Sequence, residues 1–407
     1  MNGFIKFLIL ICLFTTVCEG SSLLQKMTLE EKVGQLLMVH FNGEAANEDA
    51  RFLVQDLHVG SIIYYNWANG LHSPLQVRQL SDGLQKLTQN NRLVIPLFIA
   101  VDQEGGKVAR LTEGFTIFPG NKALSMAGDK NLAAQCALAM GEEIRAVGIN
   151  MNLAPVVDVN SNPKNPVIGS RSFGDSPIVV TNFAKKALEG YHQAGIITTL
   201  KHFPGHGDVE TDSHHDLPII KKTKEMLNEV ELVPFSQLAN DTDAIMTAHI
   251  MVPAIDSQNC ATLSKNCLDI LREEMGFNGV IISDSLVMEG LLKNCSCIED
   301  AAIRAINAGC DILILGGKQL LGAHARLELT VADVKKIHQN LCDAVKQGQI
   351  KESRLNQSVQ RILDLKERYE LSERAYRVFD GTELIVSTDE HQALAEKIRI
   401  LLYGFAT

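Results

Sequence analysis

The stretch from Lys201 to Pro218, KHFPGHGDVETDSHHDLP, packs four histidines, four carboxylates and a lysine into eighteen residues. Two chemistries draw on that inventory. The first is metal binding: His202 and His206 stand four apart, with His214, His215, Asp208, Asp212 and Asp216 close by, which are ligand types for zinc. A four-residue spacing joins two imidazoles on a helix, however, and Pro204, Gly205 and Gly207 oppose a helix here. No metal is therefore expected. The second chemistry is proton transfer. Asp212 and His214 are two apart, so in an extended or turned loop the carboxylate reaches the imidazole, favours the imidazolium and sets its tautomer. Such a dyad can act first as a general acid and then as a general base. A plain polar loop is the remaining reading, but it leaves unexplained why so many titratable groups follow one apolar run.

Hydrolysis of a glycoside also needs a nucleophile or base below the anomeric carbon. Asp284, directly after GVIIS, is a short carboxylate at the end of an apolar run, where its position is held tightly. Asp158, after APVV, stands where it can orient its neighbours. His206 and His215 read as loop-packing residues.

The elements that position these groups are legible as eight short apolar runs. They are GQLLMVHF from Gly34, VGSIIYY from Val59, IPLFIAV from Ile95, INMNLAPVVDV from Ile149, IITTL from Ile196, DAIMTAHI from Asp243, GVIIS from Gly279 and DILIL from Asp311. Amphipathic stretches lie between many of them, such as NLAAQCALAMGEEIRAVG and IEDAAIRAINAG, each ending at a glycine. This alternation predicts an α/β fold, a (β/α)8 TIM-like barrel forming a single catalytic domain with a C-terminal helical extension. An open doubly wound sheet is the alternative. In such barrels the reactive groups sit at the carboxyl ends of the strands. The polar clusters fall there: Asp102 and QEGGKVAR, the segment NSNPKNPVIGSRSFGD, the opening stretch, and Asp284.

Composition sets the outer limits. Of 407 residues, 46 % are hydrophobic and 21 % charged, enough apolar material for a packed core. A net charge of −10 with no long basic run disfavours nucleic acid as a partner. Residues 1–20 have the layout of a secretory signal peptide, with Lys6, a short apolar run and small residues from Gly20, which predicts export to the periplasm or envelope. No later segment reads as an integral membrane span. Nine cysteines, seven without the leader, argue against a disulfide framework. Cys295 with Cys297, or Cys260 with Cys267, is close enough in sequence for a local bridge, and Cys136 and Cys310 read as core.

The blocks VDQEGGKVAR, VIGSRSFGD, KHFPGHGDVETDSH and SDSLVMEG, in this order between about Met27 and Tyr369, resemble the four signature blocks of the family 3 glycoside hydrolases. The likeness is greatest to bacterial β-N-acetylglucosaminidases of the NagZ type. The resemblance implies a barrel over residues 21–369 and a retaining double displacement that frees non-reducing terminal N-acetylglucosamine from peptidoglycan-derived or chitin-type oligosaccharides. It needs no cofactor. Matched residue by residue, Asp284 takes the place of the nucleophile, His214 of the acid/base and Asp212 of its partner. Asp102, Arg110, Arg171, Lys201 and His202 match the residues that grip the sugar. A phosphorylase of the same family, in which phosphate replaces water, is the alternative, as are a metal-dependent barrel hydrolase and a non-catalytic carbohydrate-binding protein. The expected partner is a small carbohydrate and the expected state a monomer. Ser285 departs from many relatives, which carry a second Asp there, and residues 370–407 resemble the cut-short start of a second α/β domain.

Overall fold

The computed structural model describes residues 23–210, 217–292, 294–318, 328–377 and 384–404. The expected leader and the dyad residues Asp212 and His214 lie outside the described residues. Eight strands form one parallel sheet: β1 (Leu37–Val39), β2 (Ser61–Ile63), β3 (Phe98–Val101), β4 (Met151–Asn152), β5 (Ile197–Phe203), β6 (Ala244–Thr247), β7 (Val280–Ile282) and β8 (Leu313–Ile314). Each begins in one of the eight apolar runs, and β5 continues three residues past its run, through Lys201, His202 and Phe203. Neighbours in sequence are neighbours in the sheet, and β1 pairs with β8 in the register Leu37 to Leu313. A single bridge between Ile282 and Ile312 joins β7 to β8 and completes the ring. All residues of these eight strands are buried, as expected where a barrel interior lies on one side and helices on the other.

The fourth run is shorter as a strand than its apolar length suggests. Pro155 has no N–H to give to the ladder, so regular pairing stops at Asn152. Beyond it the chain stays beside β5 through Thr199 N, which donates to the Ala154 carbonyl at 2.9 Å, and through a bridge from Val156 to Lys201.

Helices cover the outside. The first, α1 (Leu29–Gln35), starts in a capping box in which Thr28 and Glu31 exchange side-chain-to-backbone hydrogen bonds. Pro74–Thr88 forms α2, Lys130–Ala146 α3, Pro177–Gln193 α4 and Ile298–Ala308 α5. The chain then adds α6 (Val331–Lys346), which packs on α5 and α1, and α7 (Glu352–Arg368), which closes the bottom of the barrel. From α7, Arg354 and Arg361 reach the buried Asp311 at 2.7 and 3.1 Å, and Arg272 reaches it at 2.6 Å. Lys366 is buried at the same end, donating to Gln35 Oε1 at 2.8 Å and to the Gly60 carbonyl at 3.1 Å.

The tail ends in α8 (Asp389–Gly404), which lies on α3. Its anchor is His391, whose Nδ1 is 2.8 Å from Glu143 Oε1. Glu143 is buried and also accepts from Ser387 N, Thr116 N and Thr116 Oγ1 at 2.9, 3.0 and 2.6 Å.

Neither proposed local cysteine bridge forms. Cys260, Cys267, Cys295 and Cys297 are free thiols, the first two in the core alongside Cys136 and Cys310. Among the described residues no helix is long and apolar enough to cross a membrane.

Candidate active site

The turn after β3 brings the first group into place. Gln103–Gly105 pairs antiparallel with Val108–Ala109, and Gln103 is pinned to β4 by two hydrogen bonds with Asn152, at 3.0 and 2.9 Å. The reversal needs glycine. Gly105 has φ +83°, and a Cβ there would lie 2.7 Å from the Pro119 carbonyl oxygen. The hairpin so formed holds Asp102 and Glu104 toward the barrel axis and returns Arg110 beside them.

Lys201, at the end of β5, joins the two acids. Its Nζ donates to Asp102 Oδ1 at 2.8 Å and lies 2.7 Å from Glu104 Oε1, with only 2 % of the side chain exposed. Arg171, in the turn Gly169–Arg171, grips Glu104 through two parallel hydrogen bonds of 2.9 and 2.8 Å. Arg110 is 3.6 Å from the other oxygen of Asp102. Burial alone would raise the Asp102 carboxyl, but Lys201 and then Arg110 outweigh it and hold the group below the usual carboxylate range. Glu104 is likewise buried, and Lys201 and Arg171 hold it well below that range. Burial opposes the charge on Lys201, yet the two carboxylates raise its pKa above that of an ordinary lysine. All these groups are thus ionised at neutral pH and already placed to exchange hydrogen bonds with a polyol.

His202 is set by Asp158. The buried carboxylate accepts from His202 N at 3.1 Å and His206 N at 2.6 Å, and its Oδ2 lies 2.7 Å from His202 Nδ1. Arg171 can only donate, and its Nη2 lies 3.4 Å from His202 Nε2, so the proton of His202 belongs on Nδ1. Burial pushes the His206 imidazole down to about 4, so His206 is neutral at pH 7. Among the described residues no cluster of three or more His, Cys, Asp or Glu could hold a metal ion.

Asp284 stands two residues beyond β7, its Oδ1 accepting from Ser285 N at 2.7 Å. Ser285 is tied to β8 by a 2.6 Å bond from Oγ to the Gly316 carbonyl. The fully buried His249 donates from Nε2 to the Ser285 carbonyl at 2.9 Å. The Ser in place of a second Asp is therefore a strut between two strand ends.

Asp102, Arg110, Arg171, Lys201, His202 and Asp284 line one cavity of about 200 Å³, with Tyr65, Glu104 and His206. It opens at the carboxyl ends of the strands. A larger cavity, about 630 Å³, touches Gly148, Asn150 and Gly195 at the strand entries, the end of such barrels that serves stability.

The sequence and the fold agree with known proteins. Residues 28–365 match the Glycosyl hydrolase family 3 N terminal domain. The chain belongs to glycosyl hydrolase family 3. It is 34 % identical to Beta-hexosaminidase A of Pseudoalteromonas piscicida, over 91 % of this chain and 66 % of that protein. It is 35 % identical to a Beta-hexosaminidase of Pseudomonas aeruginosa, over 72 % of this chain and 87 % of the other. A solved family 3 β-N-acetylglucosaminidase from Paenibacillus superposes with a TM-score of 0.85 at 41 % identity, over 92 % of this chain and 69 % of that one.

Three features of this family 3 site escape a reading by sequence. Glu104 lies inside VDQEGGKVAR, but a carboxylate in a glycine-rich turn carries no spacing signal; its partners Arg171 and Lys201 come from later in the chain. His249 is a lone histidine after an apolar run. The third is the packing of the glycines that open the loop after β5: a Cβ on Gly207 would lie 1.7 Å from the Val159 carbonyl oxygen, and one on Gly205 2.8 Å from Glu231 Cβ. These glycines serve close packing, and Pro204 to Gly207 are buried.

Proposed function

We propose that this family 3 hydrolase is an exo-acting, retaining β-N-acetylglucosaminidase of the β-hexosaminidase kind. The observation that carries the reading is the convergence of Asp284 with the Asp102–Lys201–Arg110 array on one small cavity. At about 200 Å³ the cavity is below the ~300 Å³ at which drug-sized ligand sites begin, which suits a single terminal sugar. The names of the relatives support N-acetylglucosamine as that sugar.

In this mechanism Asp102 accepts from two sugar hydroxyls, while Lys201, Arg110 and Arg171 donate to others, so the ring is held with its anomeric carbon over Asp284. The Asp284 carboxylate attacks that carbon. The bond to the leaving oxygen breaks as this oxygen takes a proton from the imidazolium of His214, which Asp212 stabilises. The glycosyl ester on Asp284 is then opened by water: His214 removes a proton, the water oxygen bonds to the anomeric carbon, and Asp284 departs as a carboxylate. Two inversions leave the product β. The leader-like N-terminus supports an envelope location, with peptidoglycan fragments or chitin-type oligosaccharides as substrates.

Asp284→Ala is expected to abolish turnover of a chromogenic N-acetylglucosaminide with the fold intact by circular dichroism. Undiminished turnover would remove Asp284 as the nucleophile. His214→Ala is expected to lose far less on substrates with good leaving groups than on poor ones, because good leaving groups need little protonation. Equal losses on both would remove its acid role. Running the wild type with and without phosphate separates hydrolysis from phosphorolysis.

A further inference from the structure

We propose that Trp67 is the platform for the leaving sugar, stacking its indole against the pyranose on the far side of the bond that is cut. The inference rests on the glycosidase reading above and names a residue that selects the leaving group. The aromatic surface is continuous with the site. Tyr65 follows β2 and lines the cavity with Asp102 and Asp284. Trp67, the sole tryptophan of the chain, stacks on Tyr65 with ring centroids 5.2 Å apart and planes 20° from parallel. Tyr65 is buried, whereas Trp67 is 45 % exposed. The wall of the cavity therefore emerges at its rim as an indole facing water.

That indole is held in position, although it contributes little to the core. Its turn is anchored by its neighbours: Asn69 accepts from Tyr65 N at 3.1 Å and donates to the carbonyls of Phe41 and Gly43 at 3.1 and 3.2 Å. Asn66 donates to the Arg110 carbonyl, which ties the same turn to the sugar-gripping hairpin. His40, from the end of β1, sets its ring edge-on to Trp67 at 5.0 Å. A rigid aromatic face loses little conformational freedom when a ligand covers it, and the C–H face of a pyranose is the complementary apolar surface. Beside the indole Lys318 pairs with Glu328 at 3.3 Å, a donor and an acceptor for hydroxyls at the sugar's edge. The Lys318 ammonium lies 5.3 Å from the indole centroid, an exposed contact that a sugar ring can replace.

The test compares two substrates, the β-1,4-linked disaccharide of N-acetylglucosamine and N-acetyl-β-glucosaminyl fluoride, whose leaving group has no ring. The ratio of kcat/KM for disaccharide over fluoride is expected to fall about tenfold in Trp67→Ala and to recover largely in Trp67→Phe, which keeps an aromatic face. An unchanged ratio in Trp67→Ala, with the wild type active on both substrates, would overturn this inference alone. A wild type inactive on both would overturn the glycosidase reading and this inference with it.

Discussion

Glu104 shows how one carboxylate organises the others. It pairs with Lys201 and Arg171 and is almost completely inaccessible, so in the proposed mechanism its task is to hold these two cations and leave Asp102 for the sugar. Replacing Glu104 with Gln keeps the shape but removes the charge that two buried cations share. Breaking a buried pair in this way costs about 3 kcal/mol. Glu104→Gln is therefore expected to lower unfolding free energy in urea by about that amount and to raise KM, because Lys201 draws Asp102 away from the ligand. Wild-type stability and KM together would show that Asp102 alone suffices. His206 gives its backbone N–H to the same Asp158 carboxylate that holds the His202 ring, and burial pushes its own imidazole down to about 4.

At the scale of elements, the strand ends do the positioning and one helix steadies them from outside. Glu143 on α3 gathers Thr116, Ser387 and His391, so the C-terminal helix and the strap before Phe118 share one buried carboxylate. The Phe118 carbonyl then accepts from Gly106 N at 2.9 Å, next to the hairpin that carries Glu104. Charge-assisted hydrogen bonds contribute about 1.5–3 kcal/mol each, so Glu143→Gln is expected to lower the melting temperature and to loosen α8, read as faster amide exchange over 389–402. Exchange rates there equal to wild type would show that apolar packing by Ala395 and Ile398 suffices. The eight strands were legible because strands buried on both faces appear as unbroken apolar runs, and six of the eight proposed site residues line one cavity: Asp102, Lys201, His202 and Asp284 stand directly after those runs, and Arg110 and Arg171 lie farther along the segments that follow them. What was not legible depends on partners distant in sequence: the Glu104 pairings, the His249 strut under Ser285, the free state of Cys260 and Cys267, and the packing duty of Gly205 and Gly207. The stop of β4 at Asn152 was written in Pro155, but the length of the apolar run masks it.

Taken whole, the molecule separates a charged end that carries the candidate site from a closed end clamped by α7. Lys366 lies at the closed end, and burial lowers its pKa to about 7. An unfolded chain keeps that lysine protonated to about pH 10.4. From about pH 7 upward the unfolded state thus binds a proton the folded state lacks, and stability from this group rises with pH until the unfolded lysine also loses its proton. Below pH 7 both states hold it and the cost of burying the charge is fully present. The difference in unfolding free energy between wild type and Lys366→Met is expected to shift in favour of wild type as pH increases from 7 to 9, by up to about 1.4 kcal/mol per pH unit. A difference independent of pH would place the lysine proton elsewhere. The ring itself has a consequence in time. Because β1 pairs with β8, the first strand made keeps an unpaired edge until the last has left the ribosome, and the barrel becomes a cooperative unit only when that late segment arrives. Until then the nascent chain is an open sheet with its seam exposed, which makes the moment of closure, rather than the formation of any single strand, the step that protects it from pairing with other chains.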